Sequence, residues 1–406
     1  MKILIIHRYF WPDSPPYAQM LRHMAGKLAA DGHEVTVLST QPSYNPAYPP
    51  PRQPYRESMD GFDVRRVWLF RENHRNLLAR GLNAVLFSLR VACQVAIRRY
   101  DVIMAATAPP VLIAGVAARL ASVKRARFIY HCQDIHPESG VLGGMLTNRF
   151  VIGALRKLDI GTCALASRIV VLSGDMADTL RERGLTDTAK LRVINNFMLD
   201  ADLSSPGQDM PISGAEQPKL CIIFAGNIGR FQGLESIIDA MHLLQDEERV
   251  ELLLVGGGVA KASLQIRAGD LLNRSVRFLE HKSQSAVERL IADSDVGLIA
   301  LQAGVYRYAY PSKTATYMKL GCPLLVCMDK ASELSEMVER EGLGEVCEPG
   351  DPVAIAAAIH KLRERKADLA RRRARIIELG REMFGRDQAL DKWSRLVKEL
   401  AAAAHP

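Results

Sequence analysis

One segment of this sequence has the composition of a phosphate-binding loop. Residues 224–235 follow a short apolar run and precede a helical pattern. The glycines in it let a backbone approach a phosphate closely, and a helix start offers unpaired N–H groups. We therefore predict phosphate binding here, although a plain tight turn would use a similar pattern. The residues concerned are Gly226, Asn227, Ile228, Gly229 and Gln232.

Two further segments could complete such a site. The run Gly256–Gly258 ends another apolar stretch and would let a base or a sugar lie against bare backbone, or serve as a flexible turn. Lys313 follows Pro311 and Ser312, which suit a helix start. A cation in a first helical turn opposes the helix dipole, and an anionic ligand such as a diphosphate would account for it.

The first half contains residues suited to proton transfer or to binding sugar hydroxyls. His131, Asp134, His136 and Glu138 follow the apolar run 128–130. Asp134 and Ser139 could instead cap helices. A zinc site needs three convergent ligands, and the His-Glu-x-x-His pattern is absent, so we expect no metal. The aromatic, proline-rich loop 9–17 is either a rigid turn or a wall for an acceptor.

Short apolar strands alternate with helices along the whole chain, which predicts two parallel sheets covered on both faces. The first half has predicted strands at 2–7, 33–39, 62–69, 101–105, 126–130, 168–172 and 190–194. Its predicted helices are at 17–31, 110–122, 149–166 and 175–183, together with a long helical stretch that follows the strand 62–69 and ends at about 99. The second half has predicted strands at 219–225, 250–255, 275–279, 295–300 and 323–328, with helices at 233–244, 259–270, 285–293, 312–320 and within 352–402. Ligands of such sheets bind beyond the carboxyl ends of the strands, and we expect the site in the cleft between the two units.

Composition excludes a disordered, collagen-like or disulfide-stapled chain, because 48% of the 406 residues are hydrophobic and 24% are charged. The net charge is +8, and residues 1–200 hold 26 Lys and Arg against 16 Asp and Glu. Eight arginines and one acid lie between Val64 and Tyr100, which indicates an anionic partner or a solvated face.

The seven cysteines are odd in number and favour a reducing compartment with buried thiols.

No membrane-spanning or exported segment is predicted. The apolar stretch 102–123 is interrupted by Pro109 and Pro110, so it is interpreted as strand, turn and helix. The apolar start at Ile3–Ile6 is too short for a signal-peptide core and is strand-like.

Taken together, these motifs resemble the retaining family 4 glycosyltransferases of the GT-B fold. The resemblance is strongest to the branch that makes bacterial surface polysaccharide, including O-antigen and exopolysaccharide. It covers nearly the whole chain and rests on the order and spacing of several motifs. They are 9–12, 31–37, 106–110, 133–139, 226–229 with 232–234, and 311–313 with 317–318 and 321–323.

The resemblance implies two Rossmann-like, doubly wound domains that face each other across a cleft. Residues 1–200 would form the acceptor-side domain, 201–218 the linker and 219–383 the nucleotide-sugar domain, with a last helix at about 384–402 returning to the first domain. The donor residues would be Gly226, Asn227, Ile228, Gly229, Gln232, Gly256, Gly257, Gly258, Ser312, Thr316 and Tyr317. Catalysis would involve Lys313, Asp134, Glu138 and His131, and the acceptor side Trp11, Asp13, Ser14 and Tyr17.

The implied activity is metal-independent transfer of a hexosyl or N-acetylhexosaminyl group, with retention, from a nucleotide-sugar to a polyprenyl-diphosphate-linked glycan. The nucleotide-sugar, with UDP the first candidate, is a substrate, and no cofactor is expected. The basic and apolar stretch 65–99 would bind the inner face of the membrane or pack as an ordinary domain helix, and the protein would be cytoplasmic and peripheral.

Two departures from the family pattern motivate alternative functions. Gln232 replaces a lysine of many relatives, and the family's two glutamates fall at Tyr308 and Thr316. The loss of a carboxylate–ribose contact costs on the order of 1.5–3 kcal/mol. A sugar-nucleotide 2-epimerase on the same fold and a weakened, scaffolding partner of another transferase are therefore the alternatives. Nucleic-acid binding ranks last, because the arginines alternate with aliphatic residues and the second half is not basic.

Overall fold

The computed structural model describes residues 1–13, 15–44, 50–70, 77–144, 146–199, 219–244 and 250–402. The predicted linker 201–218 lies outside these residues. The chain divides into two compact units. The first comprises the described parts of Met1–Val141, Met145–Leu199 and Arg386–Pro406, and the second those of Leu142–Gly144 and Asp200–Gly385.

The first unit contains, among its described residues, an eight-stranded sheet of order β3-β4-β2-β1-β5-β6-β7-β8. All neighbouring pairs are parallel except β3 with β4. The strands are β1 (Lys2–Ile6), β2 (Glu34–Thr40), β3 (Arg56–Met59), β4 (Phe62–Val67), β5 (Val102–Ala106), β6 (Arg127–His131), β7 (Arg168–Val171) and β8 (Leu191–Val193). The helices are α1 (Pro16–Ala30), α2 (Leu77–Ile97), α3 (Leu112–Lys124), α4 (Glu138–Leu142), α5 (Arg149–Leu165), α6 (Gly174–Glu182) and, from the chain's end, α15 (Arg386–Ala402).

The second unit contains, within the described ranges, a six-stranded parallel sheet of order β11-β10-β9-β12-β13-β14. Its strands are β9 (Leu220–Ala225), β10 (Val250–Val255), β11 (Val276–Leu279), β12 (Val296–Ala300), β13 (Leu324–Cys327) and β14 (Gly344–Cys347). Its helices are α7 (Leu234–Leu243), α8 (Lys261–Ala268), α9 (Gln284–Asp293), α10 (Lys313–Lys319), α11 (Glu333–Glu341), α12 (Pro352–Glu364), α13 (Lys366–Arg371) and α14 (Arg373–Phe384).

The predicted alternation of strands and helices is confirmed in both units. Central strands such as β1, β5 and β12 are buried along most of their length, as expected for parallel strands covered on both faces. The register Ile3–Val35 and Ile3–Val102 places β1 between β2 and β5. The stretch 102–123 forms β5 and α3, and no helix among the described residues is long and apolar enough to cross a bilayer.

Two strands and one thiol differ from the sequence-based expectations. Strand β3 pairs antiparallel with β4 through a turn at Asp60 and Gly61, both of which have positive φ. Asp-Gly is a typical hairpin signal, so this strand could have been found from the sequence. Strand β14 is absent from the sequence-based prediction, because the strand has only four residues and is only partly apolar. Cys93 is exposed, whereas the other six cysteines are buried as predicted.

Candidate functional site

The carboxyl ends of β9 and β12 form the point where the chain order of the second sheet reverses. Strand β9 pairs with β10 on one side and with β12 on the other, and β10 and β13 continue the sheet outward. Loops diverge at such a point and leave a crevice for a ligand. The loop 226–229 follows β9, and the loop that leads into α10 follows β12.

Lys313 lies at this crevice, at the start of α10. A Cβ placed on Gly226 would lie 3.1 Å from Lys313 Cε and 3.4 Å from Nζ, so the ammonium adjoins bare backbone. Its Nζ is 4.3 Å from the ring centre of Phe224, a buried residue of β9 that the sequence did not single out. Burial lowers the pKa of Lys313 from its ordinary 10.5 to about 8. Within the described residues, no carboxylate pairs with this ammonium.

The run Gly256–Gly258 packs against the first loop. A Cβ on Gly256 would lie 2.2 Å from the carbonyl oxygen of Gly226, and one on Gly258 would lie 2.1 Å from that of Ile228. Ile228 N donates to Gly257 O at 2.8 Å. Gly256 and Gly258 are thus required for the contact between the two loops. Gly257, whose Cβ position is open and exposed, is the member of the run that is free to meet a ligand.

The other predicted donor residues divide into exposed and supporting positions. Asn227 and Ser312 are exposed, and Thr316 is half-buried. Gln232 Oε1 accepts from Gly229 N at 3.0 Å, so this side chain closes its own loop. Tyr317 is fully buried, and its hydroxyl accepts from Ala225 N and donates to Ile223 O, so this side chain supports β9.

Asp329 is a further support that the sequence analysis missed. Its carboxylate accepts from Gly304 N at 2.9 and 3.2 Å, which fixes the loop between β12 and α10. Asp329 lies two residues beyond the end of the buried strand β13, and a polar residue just after a strand end was the signal that could have found it.

In the first unit, Asp134 is the candidate residue whose side chain has no protein partner among the described residues. It lies in the loop after β6, and burial raises the pKa of its carboxyl to about 6. A carboxyl group with that pKa can accept a hydrogen bond from a sugar hydroxyl or exchange a proton near neutral pH. Asp134 therefore has the properties expected of a residue that contacts a substrate.

His131 is part of a buried hydrogen-bonded chain. Its Nδ1 lies 2.7 Å from Tyr17 Oη, and its Nε2 lies 2.6 Å from Gln133 Nε2. Gln133 in turn exchanges hydrogen bonds with Asn196. Burial lowers the pKa of His131 to about 3, so the ring is neutral at physiological pH. The neutral ring contacts Trp393 of α15, and this arrangement supports a positioning role.

Glu138 is held in a cluster of ion pairs. Its carboxylate accepts from Arg156 Nε at 2.9 Å, and Arg183 bridges it to Asp159 at 3.5 and 3.0 Å. Asp159 also accepts from the hydroxyl of Tyr130 at 2.7 Å. Two arginines thus hold the Glu138 carboxylate at the end of the Asp134 loop, and the catalytic role of Glu138 stays a prediction. Sequence could not show this, because Arg183 lies 45 positions further along the chain.

The predicted acceptor-side residues are mostly engaged within their own unit. Asp13 is buried, and its Oδ1 accepts from the backbone N–H groups of Ser43 and Tyr44. The ring of Trp11 lies against the guanidinium of Arg22, 4.5 Å away. Tyr17 bonds His131 as described above, and Ser14 lies outside the described residues.

Each of the two units contains a match to a known family model. Residues 17–196 match the model of the glycosyl transferase 4-like domain, and residues 219–365 match that of glycosyl transferases group 1. The chain is 29% identical over 302 residues to WbjE of Pseudomonas aeruginosa, whose name describes a glycosyltransferase, covering 72% of this chain and 74% of that protein. It is 25% identical over 391 residues to WcaI of Escherichia coli K12, named for colanic acid biosynthesis, with coverage of 89% and 92%.

Solved structures give the fold. Sucrose-phosphate synthase of Thermosynechococcus elongatus superposes with a TM-score of 0.76 at 18% identity, covering 99% of this chain and 100% of that one. HepE of Anabaena, crystallised with UDP, gives a TM-score of 0.67 at 16% identity, covering 98% and 100%. The fold is GT-B. The glycosyl transferase 4-like model matches within the first unit, and the glycosyl transferases group 1 model matches within the second.

Proposed function

Starting from these two glycosyltransferase domains, we propose that the protein transfers a sugar from a nucleotide-sugar to a lipid-linked glycan, with retention at the anomeric carbon. UDP is the first candidate for the nucleotide, since HepE was crystallised with UDP. Surface polysaccharide biosynthesis is the proposed pathway class, supported by the name of WcaI. The transferred group is a hexosyl or N-acetylhexosaminyl group, and the reaction needs no metal ion.

The observation that carries this proposal is the ammonium of Lys313 beside the bare backbone of Gly226, with no carboxylate partner in the described part of the chain. A partly buried cation without a counter-ion costs free energy in the empty protein, as its lowered pKa records. A diphosphate placed between Lys313 and the loop 226–229 would supply the missing charge. The start of α10 would add N–H groups and the positive end of its dipole.

The proposed step transfers the sugar while the diphosphate leaves. The acceptor hydroxyl oxygen bonds to the anomeric carbon on the face from which the nucleotide departs, and the bond from that carbon to the phosphate oxygen breaks. The departing phosphate oxygen takes the acceptor proton. Lys313 stabilises the negative charge that develops on the diphosphate, a contribution that can reach 10²–10³-fold in rate for one lost donor.

Asp134 is proposed to contact the sugar or the acceptor from the first unit. Its carboxylate has no partner among the described residues, and a sugar hydroxyl is a suitable donor for it. Glu138, by contrast, is proposed as a positioning residue, because Arg156 and Arg183 already occupy its carboxylate.

A peripheral position at the inner face of the membrane is the last part of the proposal. In the stretch 65–99, Leu82, Val85 and Leu89 are half-exposed on one side of α2, whereas Val91 packs inward. Arg66 is buried and paired with Glu57, so it is not available to lipid. The exposed apolar residues and the exposed arginines 90, 98 and 99 are suited to an anionic lipid surface, where the lipid-linked acceptor resides.

Calorimetric titration of UDP and GDP into the full-length protein tests the donor site. We expect micromolar binding of UDP that Lys313→Ala weakens strongly, and a turnover at least 100-fold lower in that variant. Lys319→Ala is the matched control, since Lys319 lies on the same helix and is paired with Glu288 at 3.2 Å. It should bind UDP as the wild type does.

Three outcomes would contradict the proposal. Unchanged turnover in Lys313→Ala would remove Lys313 from the mechanism. Absence of binding for both nucleotides would favour the scaffolding alternative, which Thr316 and Tyr308 motivate because neither provides a carboxylate for the ribose. Formation of an epimer from UDP-N-acetylhexosamine without acceptor would instead favour the epimerase.

A further inference from the structure

Helices α2, α3 and α5 lie side by side on one face of the first sheet. The connections β4 to β5, β5 to β6 and β6 to β7 all advance in the same direction along the sheet, and right-handed crossovers place their helices on the same face. Lys124 of α3 donates to Ala96 O of α2 at 2.9 Å. On the other side, a Cβ on Gly115 of α3 would lie 3.0 Å from Leu158 of α5.

The outward side of α5 is apolar and basic. Phe150 is 74% exposed, and Val151, Ile160 and Leu165 are 40–45% exposed. They alternate with exposed Gly153, Ala154 and Ala164 and with the exposed basic residues Arg149, Arg156 and Lys157. The one acidic residue of this helix, Asp159, is buried against Arg183. A helix packed only within a soluble domain normally presents a polar outer face.

The neighbouring helices present the same chemistry. Val123 is 79% exposed at the end of α3, beside exposed Lys124 and Arg125. The outward side of α2 carries the apolar residues described above together with Ile97, which is 83% exposed. The charged residues of α2, α3 and α5, within the described part of each helix, are all basic except the buried Asp159.

We propose that the outward sides of α2, α3 and α5 together form one docking face for a bilayer surface that contains anionic lipid. This inference rests on the membrane contact in the proposed function and extends it from the single stretch 65–99 to three helices. Adjacent helices pack about 8–10 Å apart, so the face is roughly 20 Å wide. A second copy of the chain fits it less well, because a two-fold contact would bring like charges together.

Docking of α5 would have a consequence for the candidate site. Arg156 and Asp159, both on α5, hold Glu138 directly and through Arg183. Glu138 closes the loop that carries Asp134. A bilayer bound to the outer side of α5 would therefore keep the Asp134 loop near the surface from which a lipid-linked acceptor is presented.

Co-sedimentation of the full-length protein with vesicles tests the face. Vesicles of phosphatidylcholine with and without phosphatidylglycerol are compared for wild type, for Phe150→Asp with Lys157→Glu on α5, and for Leu82→Asp with Leu89→Asp on α2. Ile266→Asp is the matched control, since Ile266 is 82% exposed on α8 of the second unit. We expect binding that requires phosphatidylglycerol, a loss of at least tenfold in both double variants and no loss in the control.

Each other result overturns the inference. If the α5 double variant binds vesicles as well as the wild type does, α5 is not part of the face. If the wild type binds equally to vesicles without phosphatidylglycerol, the basic residues do not contribute to binding. Light scattering that shows a dimer in wild type and a monomer in the α5 variant would identify a protein interface instead. Thermal melts check that the variants fold, and UDP titration of the same samples separates failure of the donor site from failure of the docking face.

Discussion

UDP affinity should depend on pH through Lys313. The lowered pKa of about 8 belongs to the empty protein, where burial penalises the ammonium. A bound diphosphate would offset this penalty and bring the pKa back toward its ordinary 10.5. Because the pKa is higher in the complex, the contribution of Lys313 is fully present below pH 8. It is lost progressively as the pH rises from 8 toward the pKa of the complex.

The size of the change in UDP affinity follows from the pKa of Lys313 in the empty protein and in the complex. At pH 7 about nine-tenths of the lysine side chains in the empty protein are protonated, and at pH 9 about one-tenth, so the Kd for UDP should rise about tenfold between these pH values. That change corresponds to about 1.4 kcal/mol. At pH 7, Lys313→Gln should weaken binding by about 1.5–3 kcal/mol, the worth of a charge-assisted hydrogen bond, which is on the order of 10- to 150-fold in Kd.

Calorimetry at pH 6.5, 7, 8, 9 and 9.5 on wild type and Lys313→Gln measures this dependence. The uracil ring itself loses a proton in alkaline solution. Because Lys313→Gln is titrated with the same UDP, its pH dependence measures the effect of the uracil ring and can be subtracted from that of the wild type. Lys319→Gln should follow the wild-type curve. A wild-type Kd that stays constant from pH 7 to 9, or a Lys313→Gln curve with the wild-type slope, would refute the assignment of the diphosphate to Lys313.

Three further predictions concern the other residues of the two units. Asp134→Asn should lower turnover at least tenfold and leave the Kd for UDP within twofold, so a parallel loss of UDP binding would argue against a contact with sugar or acceptor. Arg183→Ala leaves the buried Asp159 without its ion-pair partner and Glu138 with Arg156 alone, and it should lower the free energy of unfolding by about 3–5 kcal/mol; a urea-denaturation loss below 1 kcal/mol would show that the cluster is dispensable. Gly256→Ala places an atom 2.2 Å from the carbonyl oxygen of Gly226 and should lower Tm, whereas Gly257→Ala, with nothing within 4 Å, should leave Tm unchanged.

The positions of the loops could be predicted from the sequence because they depend on local pattern. Apolar runs ended by glycine or by polar residues identified the loops 226–229, 256–258 and 131–139. In the structure each of these loops follows a strand of a parallel sheet. Parallel topology then places such loops at one edge of their sheet, whatever the details of packing.

The roles of individual side chains could not be predicted, because they depend on partners far away in the chain. Nothing near Glu138 in sequence announces Arg183, and nothing near Asp13 announces the backbone of Ser43 and Tyr44. Gly256 was expected to meet a base or a ribose. Its lack of a side chain is instead required by the carbonyl of Gly226, 30 positions earlier.

The presence or absence of an ion-pair partner distinguishes structural charged residues from candidate ligand-binding ones in this protein. Glu138, Asp159 and Arg66 are buried, and each has an ion-pair partner within its own unit. Lys313 and Asp134 have none among the described residues, and the pKa of each is shifted toward its neutral form by burial alone. An uncompensated charge destabilises the empty protein, so Lys313→Met should raise its Tm while abolishing tight UDP binding. If the protein itself supplied a partner for Lys313, the same substitution would lower Tm. The sign of the Tm change therefore shows whether a charged side chain is paired within the protein or is available to bind a ligand.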